Sequence, residues 1–449
     1  MQDAQRVLLC LCALAPCGAA DTPAAGYQLA PPQPHLSPGA MRSLSTGERV
    51  GFDGFALVLW SADGASSTVL GSFPAEHWSG VFAIDPSESF VLLGESGEVN
   101  DPLQTPSGEL YRVPLDGSGP ALLTPDSEAY LTTLVFNFDA DFESSQSALI
   151  SAATGGFGTG NSIVRLDLES GATQLVAQVD GPSGPLAVSA SGLLWYATQT
   201  DDFPSPPGAT DVIFWTPAQL ASGAVLGQSD AIVYASGFDG ASDLLVEPGT
   251  GALLLAENSL ALGTNRLRFV GPGTASSPVL VEGATPGAWL SGLQAFASTT
   301  GSTFQAYQPQ GARVEYTRTE FGVGSVRVSV LPRRASASFA GPGAQSGASG
   351  AVELLLADAP PLGTAWLLVG GSTTSQEQLL PSFGGLPPLF VGLPLDSSSF
   401  LSAPLAVSAQ GQAQLGFRHD GSLHGALATQ ALLLGPSGAL LGTSSSASL

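Results

Sequence analysis

The stretch Val81-Phe-Ala-Ile-Asp-Pro-Ser-Glu-Ser-Phe-Val-Leu-Leu-Gly94 decides how this chain is read. An apolar run, a turn at Asp85-Pro86 and a second apolar run fit two antiparallel strands joined by a hairpin. The same shape returns in Leu134–Phe138 leading to Ala148–Ala152, in Leu186–Ala197, in Leu244–Ala256, and in Leu293–Ala297 leading to Thr303–Tyr307. The starts are spaced 49 to 58 residues apart. A second set of strands interleaves with the first: Gly108–Gly117, Asn161–Gly171, Asp211–Trp215 and Asn265–Val270, each followed by another short apolar strand. Four strands per repeat of about 50 residues, without helical spacing, is the signature of a β-propeller blade. One four-stranded sheet cannot bury both of its faces, whereas a ring of sheets buries each face on the next.

The count leaves five inner pairs and four outer pairs. Phe55–Gly64 followed by Ser67–Gly71 has the shape of the missing outer pair. Residues 51–73 are therefore expected to complete the sheet whose inner strands lie in 291–308, which would close the ring without an open edge. Five blades is the expectation, with six the alternative if Ala312–Phe321 belongs to a further blade. Composition shifts at Val323, and short strand candidates such as Val352–Leu356, Ala365–Val369 and Gln412–Phe417 suit a small sandwich. The fold class expected is all-β: a propeller over 47–322, followed by a β-sandwich-like C-terminal domain over 323–449. Residues 21–46, with Pro23, Pro31, Pro32, Pro34 and Pro38, read as an extended linker.

The blade Val81-Phe-Ala-Ile-Asp-Pro86, followed by Glu109-Leu-Tyr-Arg-Val113, resembles those of extracellular NHL-type or gluconolactonase-like propellers. The resemblance spans residues 51–310 and implies architecture rather than activity, since propellers host many unrelated functions. Gluconolactonase-like members use a Glu, an Asn and an Asp around a channel-bound divalent ion, and Glu257-Asn258 can be cast in that role without the remaining ligands. Phe417–Leu434 resembles a terminal module of secreted proteins from high-GC aquatic bacteria, to which no chemistry attaches.

Arg6, the apolar run Val7–Ala15 and the small residues Gly18 and Ala20 read as a signal peptide over 1–20, cleaved before Asp21. The run is too short to span a bilayer. A lipid anchor at Cys17 is an alternative, which Pro16 disfavours. Cys10, Cys12 and Cys17 are the three cysteines of the chain, so a chain starting at Asp21 has no disulfide and no thiolate chemistry. No later apolar run is long enough for a transmembrane anchor.

The chain has 449 residues, of which 11% are charged; 13 basic residues, all Arg, against 37 acidic ones give a net charge of −24. Nucleic acid is excluded as a partner, because phosphate neutralisation needs clustered cations. Loops joining the second and third strands of each blade are long and share a face with the loops between blades. That face is expected to hold Glu95, Glu98, Asp101, Asp201, Asp202, Asp211, Glu257 and Asn258, either as a binding surface or as plain solvated surface. Asp139, Asp141 and Glu143 alternate in Asn137–Ser144 and offer oxygen ligands for calcium. Ser144 and Ile150 stand where an EF-hand loop needs Gly and Glu, so a solvated hairpin is the competing reading, and no cofactor is expected otherwise. His77 reads as a structural histidine, His419 and His424 miss the spacing of a helical zinc site, and the six tryptophans fit core packing better than a sugar platform. The function expected is an exported, non-catalytic binding or scaffold protein. Its partner would be a protein or glycan at the cell surface or outside. The alternative is a metal-dependent, lactonase-like hydrolase in the propeller channel.

Overall fold

A computed structural model describes residues 21–449, apart from residues 38, 101–106, 154–159, 201–204, 249–250, 260, 272, 275–277, 284, 298–303, 308–310, 321–322, 346–347, 372–377, 381–388, 392, 394–399, 420–421, 425–426 and 439. The expected signal peptide, Cys17, Asp101, Asp201 and Asp202 lie outside the described residues. The described chain is nearly all β, with one short α-helix, Pro217–Leu220, capped by Thr216, and two 3-10 turns, Gln228–Asp230 and Pro342–Ala344. It divides into two compact units: residues 21–22, 31–294 and 315–328, and residues 23–30, 295–314 and 329–449.

Among the described residues, six antiparallel sheets of four principal strands follow one another along the chain. From inner to outer strand, the first is Met41–Ser43, Arg49–Phe52, Ala56–Trp60 and Ser67–Ser72. The second is His77–Ile84, Phe90–Glu98, Glu109–Pro114 and Tyr130–Thr133. The third runs Asn137–Ser144, Ser147–Ala153, Asn161–Asp167 and Thr173–Val179, and the fourth Leu186–Val188, Leu194–Ala197, Thr210–Trp215 and Ile232–Phe238. The fifth is Ala241–Val246, Leu253–Ser259, Thr264–Val270 and Val279–Glu282, and the sixth Trp289–Phe296, Arg313–Glu320, Gly324–Pro332 and Tyr27–Leu29.

Second strands are covered on both faces by neighbouring sheets, so they read as unbroken apolar runs rather than alternating ones. All seven residues of Leu253–Ser259 are buried. Apolar clusters fill the spaces between consecutive sheets: Phe52 and Leu57 against Leu93 and Tyr111, then Leu92 and Leu110 against Ala148 and Ile150. Leu149 and Ile163 meet Tyr196 and Trp215, and Trp195 and Phe238 meet Leu244 and Leu255. This is propeller packing, each sheet burying its faces on the next.

Three expectations are corrected. Phe55–Trp60 does not serve the sheet of residues 291–308; its register is Arg49↔Trp60 and Phe52↔Leu57 on one side and Trp60↔Ser67 on the other, within a sheet of its own. Among the described residues, Met41–Ser72 thus makes a sheet separate from that of Trp289–Phe296. Residues 312–321 build no extra blade, because Arg313–Glu320 is the second strand of the sixth sheet. The Pro-rich segment 21–46 is no plain linker: Tyr27–Leu29 pairs with Val330–Pro332, Thr22–Pro23 extends the fifth sheet, and Met41–Ser43 is the innermost strand of the first.

The outer edges show why Thr22–Pro23 sits where it does. The link between the third and fourth strands of one sheet lays a short parallel strand on the sheet before it. Leu226–Gly227 lies so on the third sheet and Gly273–Thr274 on the fourth, and Leu122 bridges Ser72 of the first. The sixth sheet takes its fourth strand from the N-terminal segment, and Thr22–Pro23 covers the fifth.

In the second unit, one sheet orders Ser336–Ala340, Gly350–Ala357 and Ala413–His419. Another orders Phe400–Ala406, Thr364–Gly370, Ala428–Leu434 and Leu440–Thr443. Ala337, Leu354 and Leu356 of the former share one apolar cluster with Ala365, Leu367, Ala431 and Leu433 of the latter.

Candidate functional site

The inner strand of each sheet has one edge without a backbone neighbour, and its N–H and C=O groups need partners. Side chains of adjoining sheets supply several of them. Asn137 Oδ1 accepts from Val81 N at 2.7 Å, while its Nδ2 donates to the Glu95 carbonyl. A Cβ on Gly80 or Gly94 would fall 2.0 Å from Asn137 Oδ1, which explains glycine at both places. Asp139 and Asp141 accept from Leu186 N and Val188 N at 2.9 and 2.7 Å. Gln199 donates to the Ala241 carbonyl at 2.7 Å. Asp243 and Asn258 accept from Leu293 N and Leu290 N at 2.7 and 2.8 Å. Gln294 Oε1 accepts from Ser43 N at 2.9 Å, which carries the sixth sheet onto the first. Between the first and second sheets Gly54 accepts from His77 N at 2.8 Å, and Glu88 takes Ser45 N and its hydroxyl.

Inside this ring the charges interact. Burial pushes the Asp139 carboxyl up to about 8, with the negative charge of Asp243 as the second cause. Burial likewise raises Asp141 to about 6, and it raises Asp243 against the pull of Arg42, whose Nη2 lies 3.9 Å away. Beside them the sixth sheet carries a buried ion pair, Arg327 Nε to Glu315 Oε2 at 3.2 Å. Glu315 also accepts from Ser43 Oγ at 2.6 Å, and Arg327 donates to Gln294 Oε1 at 3.0 Å and to the Gly292 carbonyl. Burial lowers Arg327 to about 10 and, helped by nearby arginines, lowers His35 to about 4. Asp21 is similarly enclosed, bonded to Tyr316 Oη at 2.5 Å and Arg318 Nη1 at 2.9 Å.

A second constellation stands where the second sheet begins. Glu95 is fully buried and accepts from Gly97 N, Ser107 Oγ, Glu109 N and His77 Nδ1, all within 2.7 to 2.9 Å. Against the cost of burial, these donors hold its carboxyl below the usual range, starting with His77. The His77 ring lies against Phe73 at 4.7 Å between centroids.

The acids expected on one open face thus separate. Glu98 is exposed and Asp211 half-buried. Glu95, Glu257 and Asn258 are interior: Glu257 takes Asp239 N at 2.8 Å and Arg268 Nε at 2.5 Å, and Asn258 holds Leu290. Each ends a buried apolar strand, so its carboxylate or amide must find internal donors. Asn137–Ser144 is an innermost strand rather than a solvated hairpin, with Asp139 and Asp141 on neighbouring backbone and Glu143 turned onto Arg165 at 2.6 Å. These three acids do not converge, and among the described residues no three His, Cys, Asp or Glu side chains could hold a metal ion. Trp215 and Trp195 are core, as expected, whereas Trp78 is 60% exposed. His419 and His424 each bond a backbone carbonyl through Nε2 at 2.9 Å, to Gly343 and Ala348. The inner-edge role of Asp139, Asp141 and Asp243 escaped the sequence; aspartates inside apolar strand repeats are the signal that could have found it.

No protein-family model and no curated protein matches the chain. Among solved structures, it is similar to a putative oxidoreductase (glucose dehydrogenase) from Thermus thermophilus, at 13% identity over 68% of this chain and 100% of that one, with a TM-score of 0.44. A protein of unknown function from Dyadobacter fermentans is similar at 14% identity over 70% and 98%, TM-score 0.42. An exo-β-1,3-galactanase from Phanerochaete chrysosporium is similar at 12% identity over 88% and 94%, TM-score 0.33. No activity is carried over from them.

Proposed function

We propose that the chain is an exported, non-catalytic binding scaffold of the cell surface or extracellular space, taking its partner on the face where the inner strands begin. One observation carries this reading: Asp139, Asp141 and Asp243, the carboxylates on the inner strands best placed for chemistry in the channel, are bonded to the backbone of the next sheet. A catalytic carboxylate must be free to take or give a proton at the substrate, and these hold a frame instead. On the proposed face Trp78 presents most of its ring to solvent at the start of an inner strand, as a rigid aromatic anchor does. Among the described residues no helix is long and apolar enough to cross a membrane.

The test pairs a turnover panel of lactones, esters and glycosides with retention of the protein on insoluble cell-wall polysaccharide and surface-protein extracts. The reading expects retention, weakened about tenfold by Trp78→Ala as for a modest hot spot, and no turnover. Turnover that disappears in Asp139→Asn would overturn it.

A further inference from the structure

The fifth sheet shows what the start of an inner strand needs. Its register shifts between Ala241 and Asp243, which makes Ser242 an extra residue. The Ser242 hydroxyl donates to the Leu290 carbonyl and accepts from Asn258 Nδ2 at 2.6 Å. The third sheet has the same shift between Asn137 and Asp139, again just before an aspartate that holds the next sheet. There the extra residue is Phe138, 42% exposed. In the second sheet the register also breaks between His77 and Ser79, and the residue inside the break is Trp78. Such irregularities re-aim side chains. A serine serves the architecture at this place in the fifth sheet, so aromatic rings turned to solvent in two neighbouring sheets call for another explanation.

The first sheet adds a third ring. Asp53 Oδ1 accepts from Phe55 N and Ala56 N at 2.8 and 2.7 Å, a turn that presents Phe55, 49% exposed, on fixed backbone. Backbone contacts set the three residues in order along the ring of sheets. Gly54, next to Phe55, accepts from the N–H of His77, next to Trp78, at 2.8 Å. Gly80, two residues past Trp78, lies against Asn137, next to Phe138. The charge beside them has one sign. Glu76 packs on Gly54, and Glu98 is exposed opposite His77 in the register. The four arginines of residues 41–179 are engaged elsewhere: Arg42 faces Asp243, Arg49 bonds the Pro34 and Ala62 carbonyls, Arg112 lies over the Phe90 ring, and Arg165 pairs with Glu143.

We propose that Phe55, Trp78 and Phe138 form an aromatic arc that docks a polypeptide segment carrying arginine or lysine among apolar side chains. Glu76 and Glu98 attract the basic side chains and turn away acidic ones. Trp78 offers its face to a guanidinium or ammonium group, and the two phenylalanines on either side take apolar side chains. The turn at Asp53 and the register shifts hold the rings on fixed backbone, so little freedom is lost on binding. A second copy of this chain, with a net charge of −24, is a poor occupant by the same charge argument. The inference rests on the scaffold reading above and names its partner class.

Fluorescence anisotropy on the full chain tests it. The probes are labelled peptides of equal length built from Arg and Leu, from Glu and Leu, and from Arg and Ser, beside a labelled neutral cell-wall oligosaccharide. The Arg–Leu peptide should bind, about tenfold more weakly in Trp78→Ala and about threefold more weakly in Phe55→Ser and in Phe138→Ser. The last of these copies the residue that the fifth sheet carries at its own shift. Glu76→Gln combined with Glu98→Gln should weaken binding and reduce its salt dependence. No binding of the Arg–Leu peptide, or binding unchanged in Trp78→Ala, overturns the inference. Equal affinity for the Glu–Leu peptide removes the charge argument and equal affinity for the Arg–Ser peptide removes the aromatic one, and either result overturns it. Binding of the oligosaccharide alone, or self-association lost in Trp78→Ala, names another occupant and overturns it while the scaffold reading stands. Turnover of a probe removes that reading itself. Circular dichroism of each variant separates lost binding from lost fold.

Discussion

Two seams of the same ring are built from opposite materials. Between the third and fourth sheets, Leu149, Ile163 and Val176 meet Leu194, Tyr196, Ile213 and Trp215 in an apolar cluster. Between the sixth and first, where the ring must close, the contact is carried by Ser43, Gln294, Glu315 and Arg327 through directional bonds. Apolar surface tolerates sliding, whereas a buried ion pair has one arrangement in which both charges are satisfied. Polar closure therefore specifies register at some cost in stability. The apolar seams supply the driving force, and the polar seam says where the last sheet stops.

Breaking the polar seam should have the largest effect. Arg327→Ala leaves Glu315 buried without its cation and should cost about 3–5 kcal/mol in denaturant unfolding. The double variant Arg327→Met, Glu315→Gln should recover much of that loss, because the uncompensated charge is gone. If the single and double variants were equally destabilised, packing rather than charge would be the seam's content.

Acidity separates the seams next. Asp139 and Asp141 have carboxyl groups raised by burial to about 8 and about 6, so the folded chain binds more protons than the unfolded one between roughly pH 4 and pH 8. Stability should fall as pH rises through that window. Glu95 and Asp85, held below their usual range, work the other way only at the acid end, where protonating them removes stability. The melting temperature should therefore be higher near pH 5 than near pH 8.5, and Asp139→Asn should flatten the decline. A melting temperature that climbs steadily to pH 8.5 would contradict this.

Smaller effects sharpen the contrast. Ile163→Val in the apolar seam should cost about 0.5–1.5 kcal/mol by unfolding and respond little to salt. Arg165→Ala breaks the Glu143 pair, where the side chains remain 27% and 20% exposed, and should cost under about 1 kcal/mol, less still at high salt.

The same contrast explains what the sequence revealed. Sheets two to five announce themselves because their second strands are apolar on both faces, as in Val91-Leu92-Leu93 and Leu253-Leu254-Leu255. The closing sheets are quiet. Met41-Arg42-Ser43 is three residues with a charge in the middle, and Arg313–Glu320 mixes Arg, Glu and Thr with its apolar residues, because Glu315, Thr317 and Arg318 find polar partners in Arg327 and Asp21. Tyr27–Leu29 hides among prolines. A pattern reading that looks for apolar runs finds the apolar seams and misreads the polar one. Glu95 followed the same logic in reverse: its charge suggested solvent, while its place after Phe90–Gly94 put it in the interior, where His77 became its partner. Glu98, three residues on, did reach the surface.

Amide hydrogen exchange at Leu186, Val188 and Leu293 probes the ring directly. These N–H groups lie on inner strands, and their acceptors are the carboxylates of Asp139, Asp141 and Asp243 on the sheet before. Slow exchange at all three, lost selectively at Leu186 in Asp139→Ala, is the expected result. Exchange at the rate of an open strand edge in the wild type would mean that the carboxylates do not join the sheets and that the closed ring is wrong.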